Sequence, residues 1–263
     1  MKGDVAIQCT DLRKTYRSFK AVKQLNLTVK RGELFGFLGP NGAGKTTSIK
    51  MMTGLLEPTE GKVEIAGIDV WASPIEAKAK LAYVPDEPNL YPKLSAWEYL
   101  RFIGSVFRMP EERFQKSAEE LLALFDISDR ADELIESFSH GMRQKVALCG
   151  ALIHEPDVLF LDEPTVGLDP RSARSLKAVL KKLCERGMTV FLTTHILEIA
   201  ETMCDRVGII VDGDVIALGT MEELRAQAKN EQASLEDIFL ELTGGDESSE
   251  LIRFLEDEGE GRR

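Results

Sequence analysis

The sequence lacks any long apolar run. No stretch reaches the roughly 18 to 20 apolar residues that a membrane-spanning helix requires. Residues 1–5 also lack the apolar centre of a secretory signal. We therefore expect a cytosolic protein that does not cross a membrane by itself.

Cysteine is also scarce. The 263 residues include four cysteines, which are far apart and form no Cys-x-x-Cys pair. This pattern is typical of a reducing compartment rather than of a disulfide-stapled domain. We expect all four to be small buried residues of the core, and they are Cys9, Cys149, Cys184 and Cys204.

Positive charge is in deficit. The chain carries 33 Lys and Arg against 44 Asp and Glu, a formal net charge of −11. Proteins that wrap nucleic acid neutralise its phosphates with a surplus of clustered basic residues, so we expect no nucleic-acid partner. With 43% hydrophobic and 29% charged residues, the chain has enough apolar material for a packed core.

Short strand patterns alternate with helical patterns, which favours an α/β fold with a largely parallel sheet. The N-terminal part differs, because residues 5–9 and 21–29 alternate apolar and polar side chains as half-exposed antiparallel strands do. Asp212 and Gly213 separate two apolar runs and predict a hairpin. The later predicted strands are 33–38, 158–161, 189–192, 207–211 and 215–218, and the predicted helices among them are 44–53, 171–185 and 197–203.

Between residues 88 and 152 the strand patterns give way to helical periodicity, which indicates an inserted helical subdomain. Residues 244–263 contain seven acidic side chains, so we expect an acidic, mobile tail. The sequence thus predicts one domain over residues 1–243, with the helical insertion inside it, followed by the tail.

The strongest motif is a phosphate loop. Residues 39–46 match G-x-x-x-x-G-K-[ST] between a predicted strand and a predicted helix. Glycines direct backbone N–H groups at an anion, and the helix N-terminus adds a positive dipole. We expect Lys45 to bridge the β and γ phosphates of a nucleotide, Thr46 to ligate Mg²⁺ and Thr47 to contact the α phosphate. The other nucleotide-binding residues of the loop are Gly39, Asn41, Gly42, Ala43 and Gly44.

A second motif is an apolar strand that ends in two carboxylates, Asp162 and Glu163. Adjacent acids at the end of a buried strand need a balancing charge, which Mg²⁺ supplies. We expect Asp162 to hold the metal and Glu163 to polarise the attacking water as a general base. The alternative is that the pair only caps the following turn.

A third candidate is His195, which follows another predicted strand. A lone histidine is more often structural than functional. At this strand end, however, it would lie on the same rim as the phosphates, where an imidazole contacts the γ phosphate and orients water. We therefore place His195 with Lys45 and Glu163 in the catalytic set.

Residues 138–142, Phe-Ser-His-Gly-Met, resemble the Leu-Ser-Gly-Gly-Gln signature of ATP-binding cassette (ABC) transporters. Residues 167–170, Gly-Leu-Asp-Pro, match the D-loop of that family, and His195 matches its switch histidine. With the phosphate loop, these motifs identify the chain as a member over about residues 5–225. The Gly-Met pair of the signature and residues 234–243 are similar to the branch that serves bacterial exporters.

The resemblance implies a P-loop nucleotide-binding cassette with a RecA-like, mostly parallel sheet, an antiparallel N-terminal part and an inserted helical subdomain. It implies ATP and Mg²⁺ as cofactors, with Tyr16 stacked on adenine and Val22 touching the same face. It also implies that two cassettes pack head to tail, so that Ser139 and Gly141 of one meet the γ phosphate held by the Lys45 loop of the other.

The sequence departs from the family at Asp86, where members usually carry a glutamine that senses Mg²⁺ and the membrane partner. A carboxylate still meets Mg²⁺ or water, so we place Asp86 with Thr46 and Asp162 among the metal ligands. A carboxylate also adds negative charge and donates no hydrogen bond. We expect coupling to the partner to differ in detail.

As a function, the resemblance implies an ATPase subunit that drives a separate integral-membrane permease, in the direction of export, from the cytoplasmic face of the cell membrane. The second cassette is an identical chain or a paralogue, and the permease would contact a groove near residues 86–99. One alternative is a soluble family member acting on ribosomes or DNA. Such members usually carry two cassettes or a long coiled-coil insertion, and neither is present. A small-molecule kinase with the same loop is a further alternative, which the signature disfavours.

Overall fold

The computed structural model describes residues 4–166, 168, 170–228 and 232–243. Within them, ten strands form one sheet. These strands are β1 (Val5–Tyr16), β2 (Phe19–Lys30), β3 (Leu34–Leu38), β4 (Glu60–Ile65), β5 (Ile68–Asp69), β6 (Leu81–Val84), β7 (Val158–Asp162), β8 (Thr189–Thr194), β9 (Arg206–Val211) and β10 (Asp214–Gly219). Their spatial order is β5-β4-β1-β2-β10-β9-β3-β8-β7-β6.

Helices pack against this sheet, and three of them, from the middle of the sequence, form a separate helical layer. They are α1 (Lys45–Met52), α2 (Pro74–Lys78), α3 (Ala96–Val106), α4 (Glu111–Leu124), α5 (His140–Leu152), α6 (Pro170–Glu185), α7 (Leu197–Met203), α8 (Met221–Gln227) and α9 (Leu235–Thr243). Two short 3-10 helices, Ser128–Arg130 and Ile135–Ser137, lie between α4 and α5. No helix of the described chain is long and apolar enough to span a membrane.

The parallel half of the sheet contains β9, β3, β8, β7 and β6. Every residue of β3, β7 and β8 is buried, as the continuous apolar runs predict for strands covered on both faces. The Phe191 ring lies 5.4 Å from Phe35 and 5.5 Å from Phe160, so these three strands share one aromatic core. The carboxyl ends of the parallel strands meet at one edge of the sheet, where ligands bind in folds of this type.

The antiparallel half confirms the N-terminal prediction but extends it. β1 pairs with β2 from Val5↔Lys30 to Tyr16↔Phe19, well past residue 9. The register shifts between Cys9 and Leu12, and Asp11 has a φ of 48°. Because this irregularity breaks the alternation of apolar and polar residues, the pattern shows only the first part of the strand.

The segment between α1 and α3 contains β4, β5, α2 and β6, none of which the sequence pattern predicted. The strands have two to six residues and the helix has five. Elements this short contain too few repeats of the apolar and polar pattern to be recognised from the sequence. They matter for the site, because β6 lies beside β7 and directs the chain towards residue 86.

Three α-helices, α3, α4 and α5, lie inside the predicted helical segment 88–152. They pack through buried side chains that include Leu100, Phe114, Leu122 and Val146. Ser95 begins α3 with a capping box, in which its Oγ accepts from Glu98 N–H at 3.1 Å and Glu98 accepts from Ser95 N–H at 2.9 Å. The division at residues 88, 152 and 243 stays a prediction, and the acidic tail 244–263 lies outside the described residues.

The four cysteines are all free, but the expectation that all are buried is wrong for two of them. Cys9 and Cys149 are buried in the core, whereas Cys184 and Cys204 are half-buried. Cys184 lies near the C-terminal end of α6, and Cys204 is the C-cap residue that follows α7. Burial raises the pKa of the Cys9 thiol to about 12, which keeps it protonated and unreactive.

His154, just after α5, is half-buried, and protonation of its ring opposes folding. Its ring stacks on Phe107 at 3.7 Å, and its Nε2 lies 3.2 Å from the carbonyl oxygen of Leu81. Nε2 therefore carries the proton, while Nδ1 is buried and has no hydrogen-bond partner in the described part of the chain. Burial lowers the pKa of His154, because the charged ring loses its hydration.

We expect His154 to make the fold sensitive to mild acid. Its pKa is lower in the folded state than in the unfolded state, so unfolding takes up a proton once the pH falls below the ordinary histidine value of about 6.5. Stability is then complete above that pH and decreases below it. The melting temperature of His154→Gln, measured from pH 8 to pH 5, should fall less than that of the wild type. His140→Gln, at an exposed histidine, should keep the wild-type slope, and an unchanged slope for His154→Gln would contradict the assignment.

Candidate functional site

A cavity of about 420 Å³ lies at the carboxyl ends of β3 and β7, beside the turn between β1 and β2. It brings together predicted site residues from four separate parts of the chain. Its lining consists of Tyr16, Phe19, Ala21, Pro40, Asn41, Gly42, Gly44, Lys45, Thr46, Thr47, Asp86, Asp162 and Glu163.

The phosphate loop forms the floor of this cavity. Gly44 has a φ of 110° and starts α1, and a Cβ at this position would lie 2.5 Å from the carbonyl oxygen of Ala21. At Gly39 a Cβ would lie 2.1 Å from the carbonyl oxygen of Ile210. Only glycine fits these two positions, so the packing of β2 and β9 against the loop fixes its shape. The loop therefore presents its backbone and the N-terminus of α1 to the cavity.

Lys45 is the cation of the site. Its side chain is 6% exposed, and its Nζ donates to the carbonyl oxygens of Gly39 at 2.6 Å and Pro40 at 3.2 Å. The same Nζ lies 3.5 Å from Glu163 Oε1. The ammonium group thus lies over the loop, in the position from which it can contact a bound phosphate.

Glu163 lies between Lys45 and His195. Its Oε2 is 3.0 Å from His195 Nδ1 and accepts from the His195 backbone N–H at 3.3 Å. Its own N–H donates to the carbonyl oxygen and the Oγ1 of Thr193, each at 3.2 Å. Glu163 has a φ of 49°, and these contacts hold it in that unusual conformation. Its Oε1 is buried and accepts no hydrogen bond from the described residues, although it forms the ion pair with Lys45.

Asp162 is held by the two neighbouring strands. Its Oδ1 accepts from Thr193 Oγ1 of β8 at 2.5 Å, and its Oδ2 accepts from the Tyr83 hydroxyl of β6 at 3.5 Å. Burial and then the charge of Asp162 raise the pKa of Tyr83, so this phenol stays protonated as a donor. These two hydrogen bonds fix the Asp162 carboxylate in place at the edge of the cavity.

Asp86 follows β6 and adds a third carboxylate. Burial raises the pKa of Asp86, and the charges of Asp162 and Glu163 add to the rise. Three acids against Lys45 leave an excess of negative charge that a divalent cation would offset. The described residues contain no group of three or more His, Cys, Asp or Glu close enough to hold a metal alone. Hard oxygen donors from Thr46, Asp86 and Asp162 suit Mg²⁺, provided that phosphate oxygens complete its coordination.

Two exposed aromatic rings form the outer wall. Tyr16 and Phe19 pair across the end of β1 and β2 and are 45% and 62% exposed. Phe19, Ala21 and Pro40 line the cavity without having been predicted. Phe19 could have been predicted, because a tight turn after Tyr16 places Phe19 directly across the hairpin from it. Val22, predicted to touch adenine, is 1% exposed in the core and does not line the cavity.

The signature residues lie elsewhere. Ser139 is exposed and caps α5, with its Oγ accepting from Met142 N–H at 3.4 Å. Neither Ser139 nor Gly141 lines the nucleotide cavity, so one chain does not bring them to Lys45. Of the predicted D-loop, Gly167 and Asp169 lie outside the described residues. Leu168 is described, and its Cδ2 would be 3.8 Å from a Cβ on Gly141.

A second cavity, also of about 420 Å³, separates the sheet from the helical layer. It includes part of the predicted groove over residues 86–99. Its lining is mostly apolar and aromatic, and among the lining residues are Leu81, Pro88, Leu90, Tyr99, Ile103 and Phe107.

Fold and site together define a P-loop nucleotide-binding cassette in which a carboxylate and a histidine lie beside the phosphate loop. A family model described as ABC transporter matches residues 22–166. The linearmycin resistance ATP-binding protein LnrL of Bacillus subtilis (strain 168) is 41% identical over 218 residues, which cover 83% of this chain and 70% of LnrL. The chain belongs to the ABC transporter family as an ATP-binding cassette, which confirms the prediction from its motifs and implies ATPase activity.

Two solved structures agree with this fold. The structure of an ATP-binding subunit of an ABC transporter has a TM-score of 0.86 and 34% identity, over 90% of this chain and 99% of that chain. A dimeric post-hydrolysis ATP-binding cassette bound to ADP and Pi has a TM-score of 0.75 and 30% identity, over 82% and 98% of the two chains. Some curated relatives are longer, and the chain spans 42% of the length of one of them.

Proposed function

We propose that this chain hydrolyses ATP as the motor subunit of a membrane exporter. The observation that carries the proposal is the continuous set of contacts from Lys45 through Glu163 to His195 beside the phosphate loop. Lys45 and the loop amides bind and orient the β and γ phosphates. Glu163, whose Oε1 accepts no hydrogen bond from the described residues, takes a proton from the attacking water, and His195 orients the water and the γ phosphate.

The geometry also suits Mg²⁺ as a cofactor, because Thr46, Asp86 and Asp162 offer hard oxygen ligands on one side of the phosphate site. When bound there, Mg²⁺ supplies charge that offsets the negative γ phosphate and the nearby carboxylates. The hydrogen bonds from Thr193 and Tyr83 orient Asp162 for this task.

Adenine would stack on Tyr16, which stands at the open side of the cavity. Stacking on an aromatic ring contributes about 1–3 kcal/mol per base, and it is equally present in the ground state and the transition state. We therefore expect Tyr16→Ala to raise the KM for ATP roughly tenfold with little change in kcat. Steady-state hydrolysis measures both constants. Tyr91→Ala removes a similarly exposed aromatic ring that does not line the cavity, and it should leave KM unchanged. A lower kcat in Tyr16→Ala would contradict this role.

We further propose that two cassettes associate on Mg-ATP. Support comes from the exposed N-terminus of α5, where Ser139 and Gly141 present backbone donors and a positive dipole away from their own phosphate loop. In a head-to-tail pair these donors would meet the γ phosphate bound by the other chain. The second cassette is then an identical chain or a paralogue.

For an identical pair, the hydrolysis-deficient Glu163→Gln chain should double its mass from 29.3 kDa on adding Mg-ATP, as measured by light scattering. Adding Gly141→Glu to that chain should prevent the increase, because it places a negative charge beside the γ phosphate. Gly141→Ala is the matched control, since its Cβ has space beside Leu168 in the single chain. If Gly141→Glu dimerises normally, this surface does not meet the nucleotide.

The permease is proposed as the membrane partner, with the apolar groove between the sheet and the helical layer as its docking site on the cytoplasmic face of the membrane. The name of LnrL, a resistance ATP-binding protein, supports export as the direction. The test is to purify the full chain from native membranes in mild detergent and identify stoichiometric partners by mass spectrometry.

A partner with several membrane spans, whose complex hydrolyses ATP and loses that activity with Glu163→Gln in this chain, would support the proposal. Recovery with ribosomal proteins or nucleic acid and without a membrane protein would overturn the transport function. The ATPase assignment would stand in that case, because it is measured on the isolated chain.

A further inference from the structure

The outer face of α6 and the residue that follows it carry a basic stripe, defined as Arg174, Lys177, Lys181, Lys182 and Arg186. Arg174, Lys177 and Lys181 are three and four residues apart and share one face of the helix, and Lys182 and Arg186 form the adjacent row. The opposite face, with Leu176 and Leu180, is buried. Four of the five basic residues are exposed and Lys177 is half-buried.

None of these five residues forms an ion pair with any residue in the described part of the chain. Some basic side chains elsewhere on the helical surface do have acidic partners, as in Arg101–Glu111, Arg113–Glu155 and Arg130–Glu133. The chain as a whole is acidic, with a net charge of −11. Glu185 is the one acid among residues 174–186, so the five positive charges repel one another and favour an anionic group over this face.

Residues 244–263, which follow α9 in the sequence, supply negative charge that complements the basic stripe. Residues 244–263 contain seven acidic side chains and three arginines, and four of the five residues 256–260 are Glu or Asp. The segment therefore offers about as many negative charges as the stripe has positive ones. No other stretch of this chain outside the described residues has this charge.

The chain that follows α9 is also long enough to reach the basic stripe. α9 packs on α7, where Leu235 N–H donates to Glu201 at 3.1 Å. The positive charges of Lys177 and Lys181 oppose the rise that burial causes in the pKa of Cys204, so these lysines lie near the end of α7. The path from α9 to the stripe thus crosses one helix, which is roughly 10–12 Å wide. The residues between 243 and 256 extend about 40 Å at most.

We propose that the acidic segment 256–260 docks on the basic stripe of α6 in the same chain. α6 begins next to Leu168, which packs beside Gly141 of the signature. The docked segment would therefore stabilise the helix that borders the surface proposed to meet the second cassette.

Zero-length cross-linking of the full chain tests this contact. A carbodiimide activates a carboxylate, the amine of a lysine attacks it to form an amide, and the carbodiimide leaves as a urea. Mass spectrometry should find links from Lys177, Lys181 or Lys182 to residues 256–260. The yield should fall roughly tenfold when salt rises from 0.1 M to 1 M, because the Debye length shrinks from about 10 to 3 Å. A mixture of ¹⁵N-labelled and unlabelled chains distinguishes links within one chain from links between chains.

A charge swap supplies the controls. The triple variant Lys177→Glu, Lys181→Glu and Lys182→Glu should lose the link. The further changes Glu256→Lys, Asp257→Lys and Glu258→Lys should restore it with reversed polarity. Lys50→Glu with Lys116→Glu, at two exposed lysines outside the stripe, should leave the yield unchanged, and melting temperatures verify that each variant folds.

Three results would overturn the proposal. The first is a tail that links as well to Lys50 or Lys116 as to the stripe. The second is a set of links found only between labelled and unlabelled chains. The third is a swapped variant that folds but does not regain the link.

Discussion

Glu163→Gln should lower the rate of ATP hydrolysis by about 10² to 10⁴, the range expected for loss of a general base. Glutamine has the same shape and can still accept the backbone hydrogen bond of His195 through its amide oxygen, so the strained backbone at this position keeps its support. The amide is not basic, however, and takes no proton from water. Affinity for Mg-ATP should stay close to that of the wild type, because the phosphate loop and Lys45 are unchanged.

Single-turnover hydrolysis and nucleotide titration together test this assignment. Glu87→Gln is the matched control, since Glu87 is an exposed acid that follows Asp86 but does not line the nucleotide cavity. It should keep the wild-type rate. Near wild-type turnover in Glu163→Gln would show that another group removes the proton.

Lys45→Ala should instead reduce nucleotide binding itself. Lys45 is the buried cation of the site, and hydrogen bonds to charged groups contribute about 1.5–3 kcal/mol each. Losing one such contact weakens the affinity for ATP roughly 10- to 100-fold. The same contact persists in the transition state, so kcat/KM should fall at least as much as the affinity.

Calorimetric titration with ATP measures the loss, and Lys50→Ala is the control. Lys50 lies on the same helix α1, is exposed and does not line the cavity. Its replacement should leave the affinity unchanged. If Lys45→Ala binds ATP as tightly as the wild type, the loop does not hold the nucleotide as we propose.

The parts of the site that were predictable share one property. The phosphate loop is contiguous, and its shape depends on glycines whose spacing is visible in the sequence. Asp162, Glu163 and His195 each follow an apolar strand, and parallel strands bring their carboxyl ends to one edge. Local patterns combined with that single rule of topology were sufficient to assemble them.

The parts that were missed depend on sheet neighbours. Thr193 and Tyr83 hold Asp162 only because β8 and β6 are the two strands beside β7. Nothing in the sequence of β6, four residues long, fixes its place in the sheet. Val22 lies outside the cavity for a related reason, because alternation on β2 turns its side chain into the core while Ala21 lines the cavity.

The contacts of Glu163 also bear on the order of events in the proposed reaction. Its carboxylate lies near both the ammonium of Lys45 and the ring of His195. A triphosphate carries more negative charge than a carboxylate and would take over the lysine. In the mechanism proposed above, Glu163 would then exchange its contact with Lys45 for one with the attacking water, so that nucleotide binding itself would prepare the proposed base.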